Sequence, residues 1–512
     1  MTSLTPERNS ISIDHNLYRT RGKVRMGLVS RPPGKVTTGD YTDASNPMAS
    51  EFSIGDFRDG IGVEIGSLPE DQRRAWWSTA QLRYKNRVIL PRLATATAAG
   101  PTSDVDTLGY FKDEVYATYG TAVHVYDNSG DSWGSSIRTL LNNATDAMAG
   151  LVGGTETLLI ATGSEVDYAT DSSTWARNTT NIKFVEFWKD LAWGIDEAGQ
   201  LYYTDDLSAA WTSDAKLQLP NDYVSGLRVA RGPDREDHLY AVTKVGLFVH
   251  DDRNARFLKT DLDLPFHPDG GKGSQVWRGR VFVSAGNAIY GFQAGSDQTI
   301  VDDVGPDKDH GLPSDKRGTI KMLRKSHNEL LAFLDASSAA GVSGLTTRAT
   351  RGVRFHHGVT FPSQTGYSII LGWNERGWEA KWTSSASARA ISAAVVANAY
   401  SQYRLWWASN QRVYWMTLPV DVVNPLQVSS STYGESATLE TPWMDFGIRN
   451  QNKLALSVLL ETVNPTSSET VQVEYATDFG ETYTTITTQD ETGEQEYHLP
   501  TDVNREGVVI VV

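Results

Sequence analysis

The chain has 512 residues, 47 Lys and Arg against 62 Asp and Glu, a formal net charge of −15 and no cysteine. The absence of thiols excludes disulfides, thiolate metal sites and cysteine nucleophiles. The acidic balance argues against nonspecific nucleic-acid binding by the chain as a whole. With 44 Gly, 15 Trp and 21 Tyr but only 21% charged residues, the composition predicts an all-β protein.

The N-terminal segment, residues 1–50, is polar and punctuated by Gly and Pro, which predicts an extended arm. Arg19, Arg21, Lys23 and Arg25 alternate within it, so in an extended chain they share one face. One interpretation is a solvated strand face, and the other is an arm that docks on an acidic surface of a neighbouring copy. These four cations are therefore our candidates for a protein–protein contact.

The sequence indicates neither a secretion signal nor a membrane span. The first ten residues lack the apolar core of a signal peptide. The longest apolar runs, at 391–400 and 454–460, are shorter than the roughly 20 residues that cross a bilayer. We therefore predict a protein that is made in a cytoplasm and has no membrane partner.

A short pattern recurs through the middle of the chain: an apolar strand, a tight turn with Gly or Asn, and a second strand carrying an aromatic residue. The turn residues are at positions 120, 163, 199, 246 and 286, and a further copy turns at Asn410. A period of about 40 residues built from short strands is typical of a β-propeller. The gap before Asn410 accommodates one more unit, with strands near 330–334 and 368–373 and an insertion at 335–365. The pattern thus predicts about seven blades over residues 51–433.

The start of this range carries two further strand candidates, at 52–57 and 82–90. We expect them to complete the first blade or to close the ring by pairing with the last one. A strand near 84–90 leaves an eighth unit as an alternative.

Several second strands lead into a turn that contains an acid or an amide and then a tryptophan. The turns end at Trp133, Trp175, Trp211 and Trp378. An Asp or Asn side chain caps such a turn, and the Trp is expected to start the outer strand and to pack between blades. The turns loosely resemble the Asp-box hairpins of sialidase-type propellers, and we interpret them as structural.

No motif indicates an enzyme. The sequence lacks a nucleophile elbow, a His-Glu-x-x-His zinc helix and a phosphate-binding loop. Acid pairs occur at 205–206, 251–252 and 302–303, but glycoside hydrolysis needs two carboxylates held about 5 to 9.5 Å apart. We predict a protein that is not an enzyme and has no cofactor, with calcium in an acidic loop as the alternative.

Residues 434–512 are predicted to form a small β-sandwich, because Val471, Val473 and Tyr475 alternate as in a half-buried strand. From residue 436 onwards there are 13 acids and three bases, so most of the net negative charge belongs to this module. The apolar run 508–512 is not followed by a turn. It suggests a sandwich that is incomplete or that receives a strand from a partner.

In its organisation the chain resembles the propeller-bearing structural proteins of tailed-phage particles, of the minor tail or tail-tip type. The resemblance rests on residues 286–290, 368–378, 442–447 with Lys453, and 471–478. It implies a non-enzymatic virion protein that is assembled in the host cytoplasm. Its partners would be other virion proteins and symmetric copies of itself, with no nucleic acid.

Two other functions remain open from the sequence. One is a receptor- or glycan-binding head of the same particle, with a host surface glycan as partner. Its ligand-face candidates are Phe361, Tyr367 and His356. The other is a propeller glycosidase, which requires acids or arginines that converge in the central channel.

Overall fold

The computed structural model describes residues 57–66, 73–84, 87–295, 298–308, 311–337, 366–418, 432–444, 453–462, 465–477 and 482–499. It also places strands at 10–13, 16–18, 22–27, 49–54, 504–505 and 508–511. The described ranges contain short 3-10 turns such as Ser314–Lys316. No helix within them is long and apolar enough to cross a membrane. The all-β prediction is confirmed.

In the part of the chain that the structure describes, nine strands precede the first complete blade. They are β1 (Ser10–Ile13), β2 (Asn16–Tyr18), β3 (Gly22–Gly27), β4 (Ala49–Ile54), β5 (Ile65–Gly66), β6 (Trp77–Ser78), β7 (Gln81–Tyr84), β8 (Arg87–Ile89) and β9 (Thr95–Ala96).

Seven antiparallel sheets then follow in chain order as the blades of a β-propeller. Blade 1 has β10 (Val105–Phe111), β11 (Glu114–Tyr119), β12 (Ala122–Asp127), β13 (Ser132–Trp133) and β14 (Arg138–Thr139); blade 2 has β15 (Asp146–Val152), β16 (Thr155–Ala161), β17 (Val166–Ala169) and β18 (Trp175–Asn178). Blade 3 has β19 (Phe184–Trp188), β20 (Leu191–Ile195), β21 (Gln200–Thr204) and β22 (Thr212–Lys216); blade 4 has β23 (Val224–Arg231), β24 (Asp237–Thr243), β25 (Gly246–Asp251) and β26 (Arg256–Asp263). Blade 5 has β27 (Gln275–Trp277), β28 (Arg280–Ala285), β29 (Ala288–Gln293) and β30 (Ile300–Asp303); blade 6 has β31 (Thr319–Lys325), β32 (Leu330–Asp335), β33 (Ile369–Trp373) and β34 (Trp378–Thr383). Blade 7 has β35 (Ile391–Ala399), β36 (Gln402–Ser409) and β37 (Arg412–Thr417), completed by β9.

The recurring hairpin of the sequence is the pair of middle strands in each blade. In blade 6, for example, the five residues 330–334 of β32 are all fully buried. Both faces of such a strand pack against neighbouring blades, which is why its sequence is continuously apolar rather than alternating. The first strands of successive blades contact one another around the ring and line its central channel.

The ring is closed by a strand from the start of the chain. In β9, Thr95 pairs with Trp415 and Ala96 pairs with Tyr414, both in β37. The Thr97 N–H then donates to the Val413 carbonyl oxygen at 3.0 Å. Closure by a segment within 51–100 is therefore confirmed, but the two strands named from the sequence do not supply it. The strand near 84–90 adds no eighth blade.

Those two strand candidates instead belong to sheets outside the ring. β4 pairs with β3, whereas β7 and β8 pair with each other and β8 pairs with β1. The physical reason is that a strand can complete a blade only by pairing with the unpaired outer edge of that blade's last strand. The two-residue strand β9 already occupies the edge of β37.

The last part of the chain contributes β38 (Leu439–Glu440), β39 (Trp443–Met444), β40 (Lys453–Thr462), β41 (Val471–Thr477), β42 (Thr484–Gln489), β43 (Gly493–His498), β44 (Asn504–Arg505) and β45 (Val508–Val511). These strands form two sheets that also include N-terminal strands. β3 pairs with β40, while β5 and β6 pair with β39 and β38. The apolar run at 508–511 is paired with β41 and with β38 and β39.

The segment 57–82 connects the propeller to these terminal sheets. The Trp76 N–H donates to the Glu440 carbonyl oxygen at 2.9 Å, and the Leu82 N–H donates to the buried Glu379 carboxylate of blade 6 at 2.5 Å. A Cβ at Gly377 would lie 1.8 Å from the carbonyl oxygen of Asp59, so glycine is required where the two elements meet. Side chains from this segment, from blades 5 and 6 and from the C-terminal strands share one buried cluster.

The acid-containing turns have the structural role expected from the sequence. Asp127, Asp171 and Asp206 each accept hydrogen bonds from the backbone N–H and the hydroxyl of the Ser two residues later. The tryptophans that follow lie in or beside the outer strands β13, β18, β22 and β34. Trp133 and Trp211 are buried in clusters that contain residues of two neighbouring blades.

The ring closure gives the first prediction. Thr97→Pro removes the backbone donor to Val413, and an unpaired buried backbone group costs about 1–3 kcal/mol. We expect this variant to lower the melting temperature measured by scanning calorimetry. Thr97→Val is the matched control, because it keeps the N–H and replaces a buried hydroxyl that has no hydrogen-bond partner among the described residues. Equal melting temperatures for the two variants would contradict a stabilising role of this closure.

Candidate functional site

A pocket of about 530 Å³ lies at the mouth of the central channel, where the first strands of the blades begin. Its walls come from six of the seven blades and from the loop that precedes β27, the first strand of blade 5. Its charged side chains come from the first strands, from the loops that enter them and, for Lys244, from a hairpin turn. Charged residues from several blades thus converge on this pocket.

Two lysines share one aspartate on one side of the pocket. The ammonium groups of Lys183 and Lys244 each lie 2.7 Å from a different carboxylate oxygen of Asp222. The hydrogen bonds from Lys183 and then from Lys244 hold the pKa of the Asp222 carboxyl at about 2. This group of three therefore carries one net positive charge at neutral pH.

A second group of the same kind lies across the pocket. Lys272 and Lys321 approach the two carboxylate oxygens of Asp269 at 2.6 and 2.8 Å. Burial raises the pKa of the Asp269 carboxyl, but the two lysines outweigh burial and bring it down to about 2. Lys272 precedes β27 and Lys321 lies in β31, so the bridge joins two blades.

Two arginines, Arg228 and Arg324, also line the pocket, and backbone carbonyls fix their guanidinium groups. Arg228 Nε donates to the Ser274 carbonyl oxygen at 2.5 Å, and Arg324 Nε donates to that of Ala394 at 2.7 Å. Burial, followed by repulsion from Arg228, lowers the pKa of Arg324 to about 10. Both guanidinium groups thus have fixed orientations, and Arg324 remains charged at neutral pH.

Two carboxyl groups accompany these arginines. Asp146 accepts hydrogen bonds from the backbone N–H groups of Ala147 and Val185 at 3.0 and 3.1 Å, and burial raises its pKa. Glu186 lies 3.8 Å from Arg228 with a side chain only 12% exposed, and burial raises its pKa to about 7. Acids and arginines therefore do converge at the channel, as the glycosidase alternative requires.

The charge of the pocket is opposite to that of the chain. Its lining includes six cations, namely Lys183, Lys244, Lys272, Lys321, Arg228 and Arg324, and four acids, namely Asp106, Asp146, Asp222 and Asp269. The excess is two positive charges in a protein of net charge −15. A concave surface with such a local excess attracts anionic ligands.

The sequence-predicted site residues lie elsewhere or outside the described residues. Lys23 and Arg25 are in β3, opposite Leu459 and Ser457 of β40, whereas Arg19 and Arg21 lie outside the described residues. His356 and Phe361 also lie outside them. Tyr367 is half-buried, with the Lys316 ammonium 4.2 Å from its ring centroid, and it does not line the pocket.

The acidic loops are engaged in local contacts. Asp206 caps its turn, Asp252 pairs with Lys189 at 2.6 Å, and Asp302 pairs with Arg280 at 2.6 Å. Within the part of the chain that the structure describes, no group of three or more His, Asp or Glu side chains is placed to hold a metal ion. Whether the protein carries calcium or any other cofactor stays a prediction.

No family profile and no curated protein matches the chain. Its structure is similar to that of the computationally designed protein Ika8, with 10% identity over 63% of this chain and 100% of that chain and a TM-score of 0.41. It is also similar to YCF48 bound to a D1 peptide, with 12% identity over 64% of this chain and 96% of that chain and a TM-score of 0.39. A third similar structure is the extracellular domain of a protein assigned as a hybrid two-component system of B. thetaiotaomicron. It is 13% identical over 72% of this chain and 45% of that chain, with a TM-score of 0.42.

The buried carboxyl of Glu186 generates a prediction on pH and stability. Its pKa is raised from 4.5 to about 7, so the folded state holds the proton more tightly than the unfolded state. Stability that is fully present below about pH 4.5 is therefore lost as the pH rises towards 7, by about 3 kcal/mol in all. Glu186→Gln should raise the melting temperature at about pH 8 and change it little at about pH 5.

The matched control for this experiment is Glu156→Gln, which alters an exposed carboxylate at the start of β16. It should not produce the same difference between the two pH values. An equal effect of Glu186→Gln at both pH values would show that its ionisation does not limit stability.

Proposed function

We propose that the protein is a structural component of a tailed-phage particle, in the tail or tail tip, and acts through protein–protein contacts rather than catalysis. The observation that carries the proposal is the interlocking of its two ends, in which β3 pairs with β40 and the segment 57–82 joins both to blade 6. An all-β body whose two ends are paired in this way suits a component that must keep a fixed conformation within an assembly. The sequence resemblance described above supports the same role.

Electrostatics supplies a means of assembly between copies. The C-terminal region from residue 436 has 13 acids against three bases, whereas the N-terminal segment carries Arg19, Arg21, Lys23 and Arg25 in alternation. Complementary charges on neighbouring copies mainly set register and partner choice, and they contribute less to affinity. The contact would therefore weaken at high ionic strength.

The direct test is quantitative mass spectrometry of purified particles from the producing host, with the major capsid protein as internal reference. The proposal is supported if the protein occurs at a fixed ratio to the capsid protein. The expected copy number is on the order of a few to dozens per particle, as in symmetric assemblies. Finding the protein free in the lysate and absent from particles would refute it.

A charge-reversal variant tests the assembly contact. Replacing the four N-terminal cations with Glu should reduce incorporation into particles about tenfold, since a surface ion pair contributes up to about 1 kcal/mol. The matched control reverses four exposed cations of the propeller, namely Lys189, Lys216, Arg235 and Lys259. Circular dichroism must show that both variants fold, and equal incorporation of the two would remove the N-terminal segment from the mechanism.

A second candidate function is a receptor- or glycan-binding head of the particle. It is favoured by one observation, the positively charged pocket at the channel mouth. A pocket of this size is in the range of about 300–1,000 Å³ that holds small ligands. Here the proposed partner is a surface glycan of the host cell.

A further inference from the structure

The cations of the pocket have hydrogen-bonding capacity beyond their ion pairs. Each ammonium group of Lys183, Lys244, Lys272 and Lys321 makes one described hydrogen bond to a carboxylate, although an ammonium has three donors. Because two lysines share each aspartate, one positive charge per group is left without a counter-charge. An anionic ligand group can supply that charge and accept the remaining donors.

One carboxylate in the same pocket, that of Asp106, is only partly satisfied by hydrogen bonds within the described residues. Asp106 lines the pocket, and its Oδ1 accepts a hydrogen bond from Asn143 Nδ2 at 3.3 Å. Its Oδ2 is buried and has no hydrogen-bond partner within the described residues. A buried acceptor without a donor costs free energy, so a ligand hydroxyl placed there would remove that cost. A simple anion such as phosphate would instead bring like charge to this oxygen.

An aromatic pair lies close in the chain to two lining residues, with Tyr223 beside Asp222 and Phe266 two residues before Pro268. Tyr223 and Phe266 have ring centroids 5.6 Å apart, and Phe266 is 58% exposed. The Tyr223 carbonyl accepts a hydrogen bond from the Lys244 N–H at 2.9 Å, which ties the pair to the lysine group. The negative face of an aromatic ring attracts weakly positive C–H groups, such as those on one side of a pyranose.

These three features together select one ligand chemistry. An anionic group satisfies the lysines, hydroxyl groups satisfy Asp106, and an apolar ring face packs on the aromatic pair. We propose that the channel mouth binds a sugar that carries a carboxylate group, with the carboxylate among Lys183, Lys244, Lys272 and Lys321. The proposal rests on the glycan-binding candidate function and does not depend on the role in the particle.

The experiment is ligand-observed NMR and isothermal titration calorimetry on the purified full-length protein. The probes are D-glucuronate and N-acetylneuraminate, with D-glucose as the neutral sugar and inorganic phosphate as the simple anion. We expect at least one acidic sugar to bind, and glucose and phosphate to bind at least about tenfold more weakly, as expected for losing a charge-assisted hydrogen bond or the ring contacts.

Variants then locate the binding. Lys321→Gln removes one ammonium while Lys272 still pairs with Asp269, and we expect about a tenfold loss of affinity. Phe266→Ala should weaken binding several-fold, and the exposure of this side chain makes it a safe second variant if the first fails to fold. Lys259→Gln is the matched control, because Lys259 pairs with Asp263 on an outer strand at 2.5 Å and should leave binding unchanged.

Each alternative result overturns a definite part of the proposal. Phosphate that binds as tightly as the acidic sugars and competes with them would make the pocket a simple anion site. Glucose that binds equally would keep a glycan-binding function and refute the role of the carboxylate. If none of the probes binds, the pocket is not a sugar site, whereas the particle role is decided separately by the mass spectrometry described above.

Discussion

The closure of the ring by β9 is the constraint on which the other features depend. Seven sheets can bury both faces of their middle strands only if the last blade also meets the first, and an open ring would leave one set of those faces in water. The bond between Thr97 and Val413 and the two residue pairs before it complete blade 7. They bring residues nearly 320 positions apart into one sheet.

A second level of organisation is built on blade 6. Glu379 is buried and receives both the Leu82 N–H and the Lys381 ammonium, so its charge is compensated where the propeller meets the preceding segment. The same segment donates from Trp76 to Glu440 in the C-terminal strands. Removing one partner of such a buried charge would leave the other uncompensated, which is costly. The terminal strands are thus bound to the ring through hydrogen bonds as well as through apolar packing.

The charge distribution separates two regions of opposite sign. The C-terminal region holds most of the net negative charge, whereas the channel mouth has an excess of cations. The lysine pairs at Asp222 and Asp269 keep a net positive charge, because one aspartate does not neutralise two lysines. Assembly through the exterior and ligand binding at the channel mouth are therefore compatible in one molecule, and they are tested by separate experiments.

The sequence by itself determined the all-β class, the seven hairpins and the capped turns, because each depends on residues close together in the chain. The apolar run at 330–334 and the Asp171 turn are examples, since local burial and a side chain bonding two or three residues onward leave a local signature. Only the tertiary structure decided which strand closes the ring, since a two-residue strand such as β9 has no periodicity. It also determined which residues form the candidate site. Lys183, Lys244 and Lys321 belong to three different blades and are far apart in the sequence, and only the circular arrangement of the blades places their charges around one pocket.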